Sequence, residues 1–217
     1  MSSPKAIVPA PSPAMVSAIF AGRKTTTRRL LSDDGKLPYA PGDRLWVRET
    51  HFRFGHWERD PSKPAKEGKR PPLRFVPMSE TSFDPPRYPI TARQGPPSDP
   101  AEWDRPTIYR RPARFMFRAD ARLKLIVEEC FAEDLQAING WEAEAEGIAA
   151  ISKDGKTRKF GIPDRDGLPG TDNEGWAWPD WQKTPRDAFV RLWNQIHGDG
   201  AFDQNPRVSV TRFKIAE

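Results

Sequence analysis

The stretch Met15-Val16-Ser17-Ala18-Ile19-Phe20-Ala21-Gly22-Arg23-Lys24-Thr25-Thr26-Thr27-Arg28-Arg29 reads as a short helix that stops at a glycine and runs into an extended, cationic segment. Pro13 suits a first helical turn, and Met15, Ala18 and Ile19 share a face. Gly22 supplies the left-handed residue that ends the helix. The β-branched run Thr25 to Thr27 then favours a strand. Gly22 to Arg29 packs four cations and three hydroxyls into eight residues. Such a segment offers donors to phosphate or carbonyl oxygens and sets a lysine close to threonines.

Outward from this stretch, the turn Pro41-Gly42-Asp43 leads into Arg44 to Thr50, which has strand composition, with Leu45 and Val47 on one side. Arg122 to Ala132 reads as a strand with Leu123, Leu125 and Val127 inward. Its inward phase then slips to Cys130 and Ala132, which predicts a bulge at Glu128-Glu129. Asn139 caps a short predicted helix from Trp141 to Glu146, closed by Gly147. Thr184-Pro185 opens a longer helix whose stripe is Phe189, Leu192, Trp193 and Ile196, ended by Gly198. In Pro206 to Ile215, Val208 and Val210 fall in one phase and Phe213 and Ile215 in the other. That change predicts a second bulge or a strong bend.

Two excursions interrupt these elements. Residues 56–112 hold thirteen prolines, a density that opposes regular helix and central strand. Trp57, Phe75, Phe83, Trp103 and Tyr109 are the side chains able to order it. Residues 149–183 are rich in Gly and Asp and carry Trp176, Trp178 and Trp181, expected to anchor the loop. Arg114 to Phe117 is read as resumed regular structure, with Phe115 and Phe117 inward. Repeated βαβ units are missing, so the fold class is α+β: a single domain over 1–217, a small bent barrel with peripheral helices and two long insertions.

The 217 residues carry a net charge of +5 with 36% apolar residues. The charge is uneven: residues 1–125 carry 24 Lys and Arg against 13 Asp and Glu, residues 126–217 carry 11 against 17. A basic half suggests a polyanion partner, RNA or single-stranded DNA. No apolar run is long enough for a membrane helix, and a lone cysteine, Cys130, fits a reducing cytoplasm. His51, His56 and Cys130 lack metal-ligand spacing, so neither a metal nor another cofactor is expected.

Several separated segments together resemble the ASCH domain family of the PUA-like superfamily, in its phage and prophage form. They are Ala18 to Arg29, Pro41 to Thr50, Arg111 to Met116 with Arg122 to Leu125, Leu135-Gln136 with Ala143 to Ile148, Phe189 to Trp193, and Asn205 to Val208. The resemblance implies a PUA-like β-barrel with a cleft beside the first helix and RNA or nucleoside ligands. Some small bacterial members are amidohydrolases acting on N4-acetylcytidine. By that resemblance Lys24 is the general base, Thr27 the nucleophile and Glu146 the proton donor.

A lysine acts as a base only when neutral, a form favoured by a dry site shared with other cations. Arg23, Arg28 and Arg29 are the neighbours that would supply this. Lys24 and Thr27 lie three apart, so they converge only if the chain turns between them. The alternative is that Lys24 and Arg29 hold a phosphate without chemistry. Arg44 and Arg48 extend the cationic surface, and Arg114 belongs to a set, Arg110 to Arg122, interleaved with Phe115 and Phe117. Three functions therefore stand open: an amidohydrolase, a non-catalytic nucleic-acid module, and an interaction protein of phage assembly using the proline-rich excursion.

Overall fold

The computed structural model describes residues 5–7, 12–64, 66–69, 71–83, 92–171 and 175–216, with side chains from residue 12 onward. The Pro85-Pro86 pair of the first excursion lies outside them. The chain forms two compact units, Met1–Val47 with Arg122–Glu217, and Arg48–Ala121. The fold class is α+β, mostly antiparallel strands with few helices.

The larger unit is built on β1 (Lys5–Ile7), β2 (Thr26–Leu30), β3 (Arg44–Val47), β7 (Lys124–Asp134) and β10 (Arg207–Ile215), in the order β1-β3-β7-β10-β2. The strands β1 and β2 stand at the two ends of this order, so the described strands form an open sheet instead of the closed barrel expected. Helices α1 (Pro13–Phe20), α2 (Gly140–Ala145) and α3 (Pro185–His197) belong to the same unit. Each starts on a side-chain cap: Ser12 accepts from Met15 N, Asn139 from Glu142 N within a capping box, and Thr184 from Asp187 N.

The register explains the two phase slips. Arg212 pairs with Glu129 but Phe213 with Val127, so Glu128 is the extra residue of a bulge in β7. That bulge keeps Leu123, Leu125 and Val127 on the same face as Cys130. The phase change in β10 has a different cause, because both faces of this sheet are buried. Val208 and Val210 enter a core with Phe189, Trp193, Ala143 and Ile148, whereas Phe213 enters a second core with Val16, Ile19, Leu45 and Leu125. Unbroken alternation therefore feeds both cores, and no bend in β10 is needed.

The second excursion is more regular than expected. It opens as a hairpin, β8 (Ala149–Ser152) and β9 (Arg158–Gly161). Trp176 and Trp181 are buried in the first core, and Trp181 Nε1 donates to Trp176 O at 2.9 Å. They do anchor the loop.

The smaller unit, Arg48–Ala121, is a three-stranded antiparallel sheet, β5 (Leu73–Pro77), β4 (His51–Arg59) and β6 (Thr107–Arg111), with β4 central. Among the described residues the prolines of the excursion do not prevent it, because they fall outside the strands except Pro77, which sits at the end of edge strand β5. Trp57, Phe75 and Tyr109 pack edge to face, with centroids 5.3 to 5.9 Å apart. Arg114 to Phe117 forms no strand. Ala113–Phe115 is a single 3₁₀ turn, and Phe115 and Phe117 are exposed instead of inward.

Candidate functional site

The residues after α1 and after α2 meet. Thr25 N donates to Ala145 O at 2.9 Å, which docks the start of β2 against the end of α2. Lys24 is buried, and its ammonium donates to Glu146 Oε2 at 2.9 Å, to Glu146 O at 2.8 Å and to Thr26 O at 2.8 Å. Three acceptors saturate the three N–H bonds of a protonated lysine. One of them is a carbonyl at the C-terminal end of α2, where a cation also complements the helix dipole. Gly147 makes the turn possible: its φ is +104°, and a Cβ there would sit 3.0 Å from Met15 Sδ.

Arg28 extends the network. Its guanidinium is fully buried; Nε donates to Glu133 Oε1 at 2.9 Å and Nη1 to Glu146 Oε1 at 3.2 Å. Its Nη2 lies 2.8 Å from Glu133 Oε1 and 3.2 Å from Glu142 Oε2, in ion-pair contact without hydrogen-bond alignment. Two buried cations thus face three carboxylates. Arg212 sits at the edge of this group, 3.6 Å from Glu142 Oε1 and 2.7 Å from Glu129 Oε2.

The structure therefore brings Lys24, Arg28 and Glu146 together. Thr27 is not among the partners of Lys24. On β2, Thr26 and Arg28 are buried and pair with Arg212 and Val210, whereas Thr27 pairs with Thr211 in the opposite phase. Alternation sends its side chain to the other face of the sheet. Arg29 shares that phase and lies beside Tyr39; burial pushes its guanidinium below the ordinary value, with Tyr39 opposing. Arg23 and Arg44 are exposed. Arg48 and Arg114 belong to the smaller unit. The expected phosphate grip by Lys24 and Arg29 does not form in this arrangement, since the Lys24 ammonium already faces the Glu146 carboxylate and two carbonyls and Arg29 lies in the opposite phase of β2.

Next to this network lies an open cleft of about 290 Å³, lined by Thr25, Thr26, Glu128, Trp141, Glu142, Ala145 and Arg212. Trp141 is 83% exposed, the most exposed large apolar side chain of the described residues. Its position explains this: Ala143 takes the buried face of α2, and Trp141 falls outside that stripe. The cleft combines a bare indole face, two hydroxyls, two carboxylate acceptors and one guanidinium donor. Sequence reasoning placed Trp141 only as a helix start and missed Glu142 and Arg212. The available signal was a tryptophan beside an Ala/Glu-only helix that offers it no apolar partner.

Among the described residues no group of His, Cys, Asp and Glu is arranged to hold a metal ion. No described helix is long and apolar enough to cross a membrane. No family model, curated protein or solved structure significantly matches the chain.

Proposed function

We propose that this chain is an ASCH-type, PUA-like protein that binds a nucleobase of the cytosine kind, as a modified nucleoside or within RNA or single-stranded DNA, in the cleft beside α2. The observation that carries the reading is the exposed indole of Trp141 flanking a carboxylate and a guanidinium in one concavity. A base stacked on an aromatic ring gains about 1–3 kcal/mol. Glu142 accepts from an exocyclic amine, the pairing that distinguishes cytosine, and Arg212 donates to the ring nitrogen or carbonyl beside it. Two acids, Glu128 and Glu142, against one arginine make the cleft a poor phosphate site. It suits a neutral base carrying an amino group. Further support is that most of the resemblance blocks, from Ala18 to Arg29 through Asn205 to Val208, fall in the unit that holds the cleft.

The test is calorimetric titration with cytidine, N4-acetylcytidine and uridine. Cytidine binds and uridine, which presents an acceptor to Glu142, binds at least tenfold more weakly, about 1.4 kcal/mol. Equal affinity for the two, or no binding by either, removes the reading.

A second reading, amide hydrolysis on N4-acylated cytosine, is favoured by the 2.9 Å contact of Lys24 with Glu146, 122 residues apart in the chain. It is the weaker one on geometry. A saturated ammonium has no lone pair to take a proton, and the proposed nucleophile Thr27 lies in the phase opposite Thr26 and Arg28, on the other face of the sheet. Product release from N4-acetylcytidine that disappears in Thr27→Ala supports this reading; release that persists in Thr27→Ala removes Thr27 as its nucleophile, and no release leaves binding alone.

A further inference from the structure

The two units differ sharply in charge. Arg48–Ala121 contains 15 Lys and Arg against 10 Asp and Glu, so it carries the whole net charge of +5, while the remaining residues balance at 20 against 20. Within this unit one segment concentrates unpaired cations. Among the described residues Arg111, Arg114 and Arg118 make no ion pair, whereas nearby Arg53 has Asp120 at 3.5 Å.

Arg111 ends β6 and is half-buried among rings. Its guanidinium carbon lies 5.3 Å from the Trp57 ring centre, 4.8 Å from Phe75 and 5.1 Å from Phe115. Three ring faces hold the cation in place without neutralising it. Burial, with Arg53 adding to it, pushes the guanidinium below its ordinary value, the mark of a cation lacking a counter-charge. Arg114 stacks on Phe115 at 4.9 Å. Phe115 is 46% exposed and Phe117 70% exposed, each beside an arginine in sequence. Isolated exposed phenylalanines need no explanation, but two of them alternating with three unpaired arginines over eight residues repeat the spacing of charge and ring that a strand of nucleotides requires.

We propose that Arg111 to Arg118, with the Trp57–Phe75 aromatic pair supporting Arg111, is a binding surface for single-stranded nucleic acid, on which Arg111, Arg114 and Arg118 contact phosphates and Phe115 and Phe117 stack on bases. This surface is built from residues of the smaller unit and does not depend on the reading given to the cleft beside α2. Arginine suits it because the planar fork grips phosphate oxygens at two points while its face stays on a ring. Phosphate contacts are independent of sequence, so the surface holds any single strand and discriminates little between bases.

The experiment measures fluorescence anisotropy of a labelled single-stranded oligonucleotide of mixed sequence with the full chain, over a salt series. Affinity falls with salt, and the slope of its logarithm drops by about one in Arg114→Glu and in Arg118→Glu. Phe117→Ala weakens binding about fivefold or more with the salt slope unchanged, the loss of one stacked base. All three side chains are exposed, so these variants keep the fold, and cytidine binding by them stays at the parent value. Three outcomes overturn the inference: parent-like oligonucleotide affinity in Phe117→Ala; heparin, a polyanion without bases, displacing the strand equally well from parent and Phe117→Ala protein; or capture of anionic-lipid vesicles in place of the oligonucleotide. Failure of cytidine titration with intact strand binding sinks the cleft reading alone, and the reverse sinks this one alone.

Discussion

Removing the Glu146 carboxylate probes the buried network most sharply. In Glu146→Ala, Lys24 keeps two carbonyl acceptors but loses its counter-charge, and Arg28 keeps Glu133 and Glu142. Both partners of the lost pair are under a tenth exposed, at 9% and 6%. Breaking a buried pair from one side leaves an uncompensated charge and costs about 3–5 kcal/mol. At about 2–4 °C per kcal/mol for a chain of this size, the melting temperature falls by about 6–20 °C. The double variant Lys24→Met, Glu146→Leu replaces the pair by apolar groups of similar length. It recovers only part of the loss: neither charge of the pair then needs solvation, but Thr26 O, Glu146 O and Arg28 Nη1 each lose a partner. Urea unfolding followed by near-ultraviolet circular dichroism gives the free energies of the parent, the single and the double variant. A single variant within about 1 kcal/mol of the parent, the range of an exposed pair, refutes the reasoning. So does a double variant no better than the single one.

Three further outcomes follow from particular contacts. Gly161→Ala places a Cβ 2.6 Å from the Trp181 ring, which is 2% exposed, so the hairpin β8–β9 and the tryptophan anchor cannot both keep their positions; thermal melting falls by several degrees, with a blue-shifted tryptophan signal lost. His51 is buried, and burial first, then Arg111 and Arg53, hold its imidazole below the ordinary value, against the Glu49 carbonyl and Asp120. The unfolded chain therefore takes up the proton first as pH falls below about 6.5. Stability contributed by neutral His51 is present above that pH and is lost as the pH drops towards the folded value; the stability difference between parent and His51→Gln narrows over that window, and a pH-independent difference contradicts it. Trp141→Ala weakens cytidine binding by about five- to a hundredfold in titration, with melting unchanged because the ring is exposed.

The helix caps were readable from sequence because a cap is a local device. Asn139, Thr184 and the glycines after each helix carry their own geometry, and the structure places them as expected, while Ser12 caps the first helix beside the Pro13 that marked its start. The β7 bulge was readable for a similar reason, since a phase slip within one strand needs no knowledge of its partner. The β10 slip looked identical but came from a sheet buried on both faces, which a single strand cannot announce. The contact between Lys24 and Glu146 spans 122 residues and was reached only through the family resemblance. The turn needed to bring Thr27 to Lys24 does not form, because the strand begins at Thr26 and alternation from there sends Thr27 to the other face. The strands of the smaller unit were hidden by proline count, which measures composition and not the spacing of prolines between strands.

The most direct measurement is a heteronuclear correlation spectrum of the labelled protein titrated with cytidine. Saturable shifts of the Trp141 indole N–H, the Thr25 and Glu142 amides and the Arg212 side chain, with the Lys24 region little changed, are the result this account requires. Shifts clustered elsewhere with that group silent contradict it.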